Sequence, residues 1–194
     1  MQQDLTAVFI DGAYFNSVRD LEFNRARLDY GRLARALAGN HPFLRAYYYD
    51  AEPWAGDQTD PIEAEKQKKK RSFLNALRMQ PRFEVRLGRM SFRGPRGEDE
   101  RPRFEQKQVN MLLGVDLTLM AAKRQIDRAI VVSGDSDFVP AVEAAKREGV
   151  LVHLWHGRDC APALWDSCDE RSRFDADFID GLLREEFPRD DEHE

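Results

Sequence analysis

Two short apolar runs in this sequence each lead straight into an acidic turn. Ala7-Val8-Phe9-Ile10 ends at Asp11-Gly12, and Ala129-Ile130-Val131-Val132 ends at Ser133-Gly134-Asp135-Ser136-Asp137. If the two runs are neighbouring strands, Asp11 and Asp135 converge, and their mutual repulsion, sharpened by burial, calls for a compensating cation. Carboxylate oxygens suit Mg2+ or Mn2+. Each aspartate alone reads equally well as a turn or helix-capping residue; the pair, each beside a glycine, favours a site. Asp137 adds a third carboxylate, which either reaches the ion, directly or through water, or caps the helix that begins at Phe138. Asp116 is a fourth, set among Leu112, Leu113, Val115, Leu117 and Leu119. There it must be paired, coordinated or at a pocket rim, unless it lies on an exposed helix face. Gly114 costs the same helix about 1 kcal/mol relative to alanine and suggests close approach of another group.

A polyanionic substrate would need cations nearby. The stretch Lys66 to Arg103 is strongly basic, although the whole chain carries a formal net charge of -5. Lys69, Lys70, Arg71, Arg89, Arg93 and Arg96 are the candidate phosphate contacts for a nucleic acid, with Phe92 or Phe104 available to stack on bases. For the lysine run alone, a solvated helix face is the plainer reading. The acidic segment 184–194 reads as a flexible tail, an interaction segment or a phosphate mimic.

Several elements must position these residues. Ala7–Ile10, Leu44–Tyr49, Phe83–Leu87, Ala129–Val132 and Val150–Trp155 read as strands. Helices are expected from about Tyr14, over Tyr30–Ala38 with Gly39-Asn40 as its stop, over Ile62–Met79, Met111–Arg124 and Phe138–Glu148, around Ala163, and over Ala176–Glu186. Asp50–Asp60 and Arg93–Pro102, rich in glycine and proline, read as loops. Strands alternating with helices imply an α/β fold, a mostly parallel central sheet with helices on both faces in a Rossmann-like three-layer arrangement. Ligands in such folds bind outside the carboxyl ends of the strands, where Asp11 and Asp135 stand. Residues 1–183 are expected to form one domain. The aromatic run Tyr47-Tyr48-Tyr49 reads either as an exposed surface for a homodimer or as core.

A chain of 194 residues, 42% hydrophobic and 34% charged, can bury a sizeable core beneath a well-solvated surface. No apolar run approaches the roughly 20 residues of a membrane helix, and no secretory leader is evident, so a cytoplasmic location without membrane contact is expected. Two cysteines, Cys160 and Cys168, cannot make a disulfide framework. With His153 and His156 they raise the question of zinc, but they lack the tight pairs of structural zinc sites. No Walker A, dinucleotide fingerprint or nucleophile elbow is present. A haloacid dehalogenase-type phosphatase would need an acid where Ala13 stands. A glycosyltransferase reading would rest on Asp135-Ser136-Asp137 alone.

Three segments together resemble the NYN domain family, and more narrowly its LabA-like (DUF88) branch. They are Phe9-Ile10-Asp11-Gly12 with Asn16, Lys107-Gln108-Val109-Asn110 with Val115-Asp116, and Val132-Ser133-Gly134-Asp135-Ser136-Asp137-Phe138-Val139-Pro140. Leu164 and Asp169 fit more loosely. The resemblance implies a PIN-like nuclease fold and a metal-dependent ribonuclease, with Mg2+ or Mn2+ held by Asp11, Asp116 and Asp135 and with Asp137 adjoining. It makes Asn16, Lys107, Asn110 and Ser133 accessory positions. One segment departs from the branch, whose pattern usually reads Lys-Gly-Val-Asp. Asn110 offers a carbonyl oxygen or a helix cap but no negative charge. A catalytically inactive RNA-binding or adaptor domain of the same fold is therefore the alternative.

Overall fold

The computed structural model describes residues 4–52, 61–96 and 101–184, and for 90–96 and 101–107 the backbone alone. Seven strands form one sheet: β1 (Thr6–Asp11), β2 (Phe43–Ala51), β3 (Phe83–Arg96), β4 (Arg101–Lys107), β5 (Arg128–Val132), β6 (Leu151–His156) and β7 (Glu170–Arg173). Their order is β4-β3-β2-β1-β5-β6-β7, parallel throughout except for the antiparallel β3–β4 pair. The helices are α1 (Gly12–Glu22), α2 (Tyr30–Ala38), α3 (Pro61–Arg78), α4 (Val109–Ala122), α5 (Val139–Arg147), α6 (Pro162–Ser167) and α7 (Ala176–Asp180).

Strand alternation sorts the core into two layers. On one face Ala7, Phe9, Tyr47, Tyr49, Ala129 and Val131 pack against Leu113 and Leu117 of α4 and Val142 of α5. On the other, Val8, Ile10, Tyr48, Ile130 and Val132 meet Phe15 of α1, Leu33 of α2 and Leu74 of α3. Both faces are covered, which is why β1 and β5 are apolar at every core position. From β1 the chain moves outward through β2 to β3; from β5 it moves the other way through β6 to β7. The sheet therefore reverses its winding between β1 and β5, and a crevice opens at the carboxyl ends of those two strands.

The structure revises several sequence expectations. The segment expected as a loop over Arg93–Pro102 instead extends β3 to Arg96 and starts β4 at Arg101, as two arms of an antiparallel hairpin; 97–100 lie outside the described residues. Ladder pairing overrides the turn signal of its prolines and glycines, and Pro95 and Pro102 sit opposite each other beside a register shift, a tolerated place for proline. β2 runs on through Asp50 and Ala51, and the four-residue β7 went unread because it lacks an apolar run. Helix α7 is five residues long, ending at Asp180, not at Glu186, a position outside the described residues together with the rest of the tail from 185 to 194. Tyr47, Tyr48 and Tyr49 are core residues, at most 8% exposed, which removes the surface from which a homodimer was read. No helix among the described residues is long and apolar enough to cross a membrane.

Candidate active site

Asp11 closes β1 on the α4 face, following Ala7 and Phe9 in the alternation. It is buried, 6% exposed. Its Oδ1 accepts the Tyr14 backbone N–H at 3.1 Å and so caps α1, and its Oδ2 accepts the Ser133 hydroxyl at 3.1 Å. Burial pushes the Asp11 pKa up and the Asp135 carboxylate adds to the shift, while the hydrogen bonds pull it back. Asp135 follows β5 and caps a 3-10 turn over Ser136–Phe138. Its Oδ1 accepts the Asp137 N–H at 2.9 Å. Asp135 therefore does the capping that the sequence offered to Asp137. Both aspartates are caps and both face the same cleft, so the two readings coincide.

Asn110 lies in the first turn of α4. Its Nδ2 donates to Asp135 Oδ2 at 3.0 Å and to Asp137 Oδ2 at 3.3 Å. It is not the helix cap; that position belongs to Gln108, whose φ of 74° is left-handed. The crevice, about 730 Å³, is bounded by Asp11, Tyr14, Asn110, Gly134, Asp135 and the loop Arg158–Ala161. Two clamps hold that loop. The Tyr14 hydroxyl accepts the Gly157 N–H at 2.9 Å and donates to Asp159 O at 2.7 Å, and the Ala161 N–H donates to Gly134 O at 2.9 Å. Burial, foremost, raises the Tyr14 pKa to about 12, so the hydroxyl stays a donor. Gly134 has no room for a side chain, because a Cβ there would strike the Tyr14 ring and come within 2.6 Å of Asp159 O. Asn110 and Asp137 also border an apolar groove of about 780 Å³ lined by Met111, Val115 and Leu119 of α4 and Pro140 and Ala141 of α5.

A family model described as the NYN domain matches residues 5–174. The chain belongs to the NYN domain family. NYN domains fall in the PIN-like nuclease superfamily, are generally RNA-related and usually use divalent metals. This NYN domain is similar in fold to a crystallised protein of unknown function from Vibrio parahaemolyticus. The TM-score is 0.62 and the identity 23%, over 95% of this chain and 100% of that one. A chain from Parabacteroides merdae matches at a TM-score of 0.30 and 11% identity, over 79% of this chain and 25% of that one. No curated protein matches.

The candidate site differs from the one expected in its fourth acid. Asp116 does not line the crevice: its Oδ2 accepts the Tyr49 hydroxyl at 3.0 Å and lies 3.3 Å from Arg86 Nε. Six positions separate it from Asn110, so helical rotation carries it toward β2 and β3 and away from β1 and β5. It is the paired carboxylate that its apolar neighbours demand. Gly114 meets only Ala141, at 3.5 Å from a built Cβ, which is ordinary contact and no tight approach. Asn16 donates to the Tyr48 hydroxyl at 3.0 Å and secures α1 on the sheet. Ser133 braces Asp11 and is fully buried.

The basic residues are dispersed. Lys70 pairs at 2.7 Å with buried Asp50, and Lys69 lies 3.6 Å from Glu65. Arg71 and Arg89 are exposed, and the side chains of Arg93, Arg96 and Lys107 lie outside the described residues. His153 bonds Ser172, His156 bonds Gly157 O, and Cys168 is core, so these side chains have structural partners. Sequence reading missed the loop Arg158–Ala161, because nothing in its residue types marks it; only the β6–α6 connection brings it over the crevice.

In type, though not in spacing, the donors present suit a hard divalent cation. Among the described residues, Asp11 and Asp135 have neutral partners only: backbone N–H groups, a hydroxyl and an amide. A buried carboxylate so placed lacks its counter-charge. Among the described residues no three His, Cys, Asp or Glu side chains are gathered tightly enough to hold an ion as they stand. The Asn110 amide occupies the place between Asp135 and Asp137, and turning it by 180° would present Oδ1 in place of Nδ2.

Proposed function

We propose that this domain is a metal-dependent ribonuclease of the LabA-like branch, hydrolysing phosphodiesters with Mg2+ or Mn2+ at Asp11 and Asp135. The observation that carries the reading is a buried carboxylate, Asp11, beside Asp135 at the switch point of the sheet, both without a cationic partner among the described residues. Asp137 and the Asn110 amide oxygen complete an all-oxygen donor set, and Asp116 stays outside it as a structural carboxylate. The bound ion would lower the pKa of a water and neutralise charge on the phosphate. The chain's own residues do the positioning. Tyr14 N–H and Ser133 aim the Asp11 oxygens, and Asp137 N–H aims Asp135 Oδ1.

A second reading, a non-catalytic RNA-binding or adaptor domain, is favoured by one observation: the Asn110 amide ties Asp135 to Asp137 with no ion required. Incubation of labelled RNA with wild type and Asp135→Asn, in Mn2+ and in EDTA, separates them. The nuclease reading expects cleavage that disappears in EDTA and in the variant. Equal inertness of both proteins, with RNA still bound, leaves the binding-module reading.

A further inference from the structure

A polyanion entering this crevice meets Asp11, Asp135 and Asp159, while Lys69 and Lys70 lie against Glu65 and Asp50. Arg158 is the one cationic side chain among the described residues that line the crevice. Its backbone is held firmly: Arg158 N–H donates to Glu22 Oε1 at 2.7 Å, and a Cβ on the preceding Gly157 would strike that same oxygen and Val18. Its side chain is not. The guanidinium side chain is 71% exposed, and its Nε lies 3.7 Å from Glu22 Oε2, beyond hydrogen-bond distance. Glu22, 9% exposed, has a second cation at the same 3.7 Å, Arg173. When Arg158 turns toward a ligand, Glu22 therefore keeps a counter-charge and its backbone hydrogen bond.

We infer that Arg158 is the phosphate-binding residue of the crevice, swinging from Glu22 to grip a phosphate oxygen of single-stranded RNA over Asp11 and Asp135. The inference rests on the proposed RNA substrate and extends it to the group that holds the strand. A planar guanidinium with fixed backbone and free side chain suits such contact, because it can donate two parallel hydrogen bonds to one phosphate. Cationic residues that neutralise phosphates also release counterions, which makes their contribution visible in salt dependence.

The test is fluorescence anisotropy of a short labelled single-stranded RNA, titrated with wild type, R158A, R158K and R147A, with Ca2+ and with EDTA, from about 50 to about 200 mM salt. Arg147 ends α5 just before β6 begins at Leu151, at the amino ends of the strands, so R147A removes the same charge away from the crevice at their carboxyl ends. R158A is expected to bind about tenfold more weakly at the lower salt and to lose about 0.7 from the log–log salt slope. R158K keeps the slope but recovers only part of the affinity, and R147A matches wild type. Wild-type affinity and slope in R158A overturn the inference, as does an equal loss in R147A or a wild type that binds no RNA. An RNA-binding protein that fails to cleave removes the nuclease reading and leaves the Arg158 result to stand or fall on its own curves.

Discussion

Replacing Asn110 by aspartate changes the charge of the crevice with almost no change in shape. In the wild type, Nδ2 sits 3.0 Å from Asp135 Oδ2 and 3.3 Å from Asp137 Oδ2. The carboxylate that Asn110→Asp introduces would exchange two hydrogen bonds for two repulsions. At a charge separation of about 4 Å, Coulomb's law puts each at about 4 kcal/mol for an effective dielectric of about 20 and about 1 kcal/mol in bulk water. Asp137 is exposed and Asp135 half-buried, and the new side chain can turn outward, so about 1–2 kcal/mol of net destabilisation is expected. At about 2–4 °C per kcal/mol, Tm in EDTA falls by about 2–8 °C. The same repulsion becomes attraction for a cation, so Mn2+ binds about 5–30-fold more tightly to the variant. Thermal melts with EDTA and with Mn2+, together with calorimetric Mn2+ titration, read both sides. A variant as stable as wild type in EDTA, binding Mn2+ no more tightly, would refute the claim that Asn110 stands in for a charge at this site.

Two further substitutions probe the same corner of the fold. Asp11 has a folded pKa raised above its ordinary 3.8. Below that value both folded and unfolded chains hold the proton; as pH rises from it through the raised folded value the unfolded chain ionises first, so wild type loses stability, and above it the loss is constant. Asp11→Asn keeps an acceptor for Tyr14 N–H and has no charge to bury. Its Tm in EDTA at neutral pH should exceed wild type by about 2–4 °C, with the gap closing toward acid pH; a less stable variant at neutral pH would contradict the desolvation argument. Gln108 has φ 74° and ψ -8°, where an L side chain costs about 1 kcal/mol. Gln108→Gly relieves that cost against a freer unfolded chain, so urea denaturation should show a gain of about 0.5–1 kcal/mol, and a loss would mean that the glutamine side chain holds contacts of its own.

The parts of the fold that were legible in sequence are those where one residue type has one physical use. β1 and β5 are short apolar runs because both faces of the sheet are covered there, and their aspartates follow because the strands end at the crevice. Gly39 closes α2 as the positive-φ stop that its residue type announces. The β3–β4 hairpin was hidden because prolines and glycines signal turns locally, while ladder pairing across the hairpin is a tertiary fact. Asp116 was legible as a carboxylate needing a partner but not as Arg86's partner, since that pairing depends on which face of α4 meets β3. The lysine run showed charge but not that Lys70 pairs with buried Asp50 and Lys69 lies against Glu65. Arg158 carried no signal at all, because its place follows from Tyr14 and Glu22, more than a hundred residues earlier.

The two positions at which Lys107-Gln108-Val109-Asn110 differs from the Lys-Gly-Val-Asp pattern of the proposed LabA-like branch affect different properties of the site. Gln108 takes the left-handed conformation that a glycine would adopt without strain, so the chain enters α4 along the path that places residue 110 over Asp135. Asn110 then keeps the size and direction of an aspartate and still meets both acids. Geometry is therefore preserved at a cost of about 1 kcal/mol in the turn, whereas charge is not preserved. A substitution that spares shape and removes charge acts on affinity for the cation before it acts on folding or on the placement of RNA. It follows that the nuclease and binding-module readings differ in one quantity, the cation concentration at which Asp11 and Asp135 fill. Raising Mn2+ should move the wild type toward the behaviour of Asn110→Asp, and a wild type that stays inert where the variant is saturated and cleaving would assign the lost activity to that single amide.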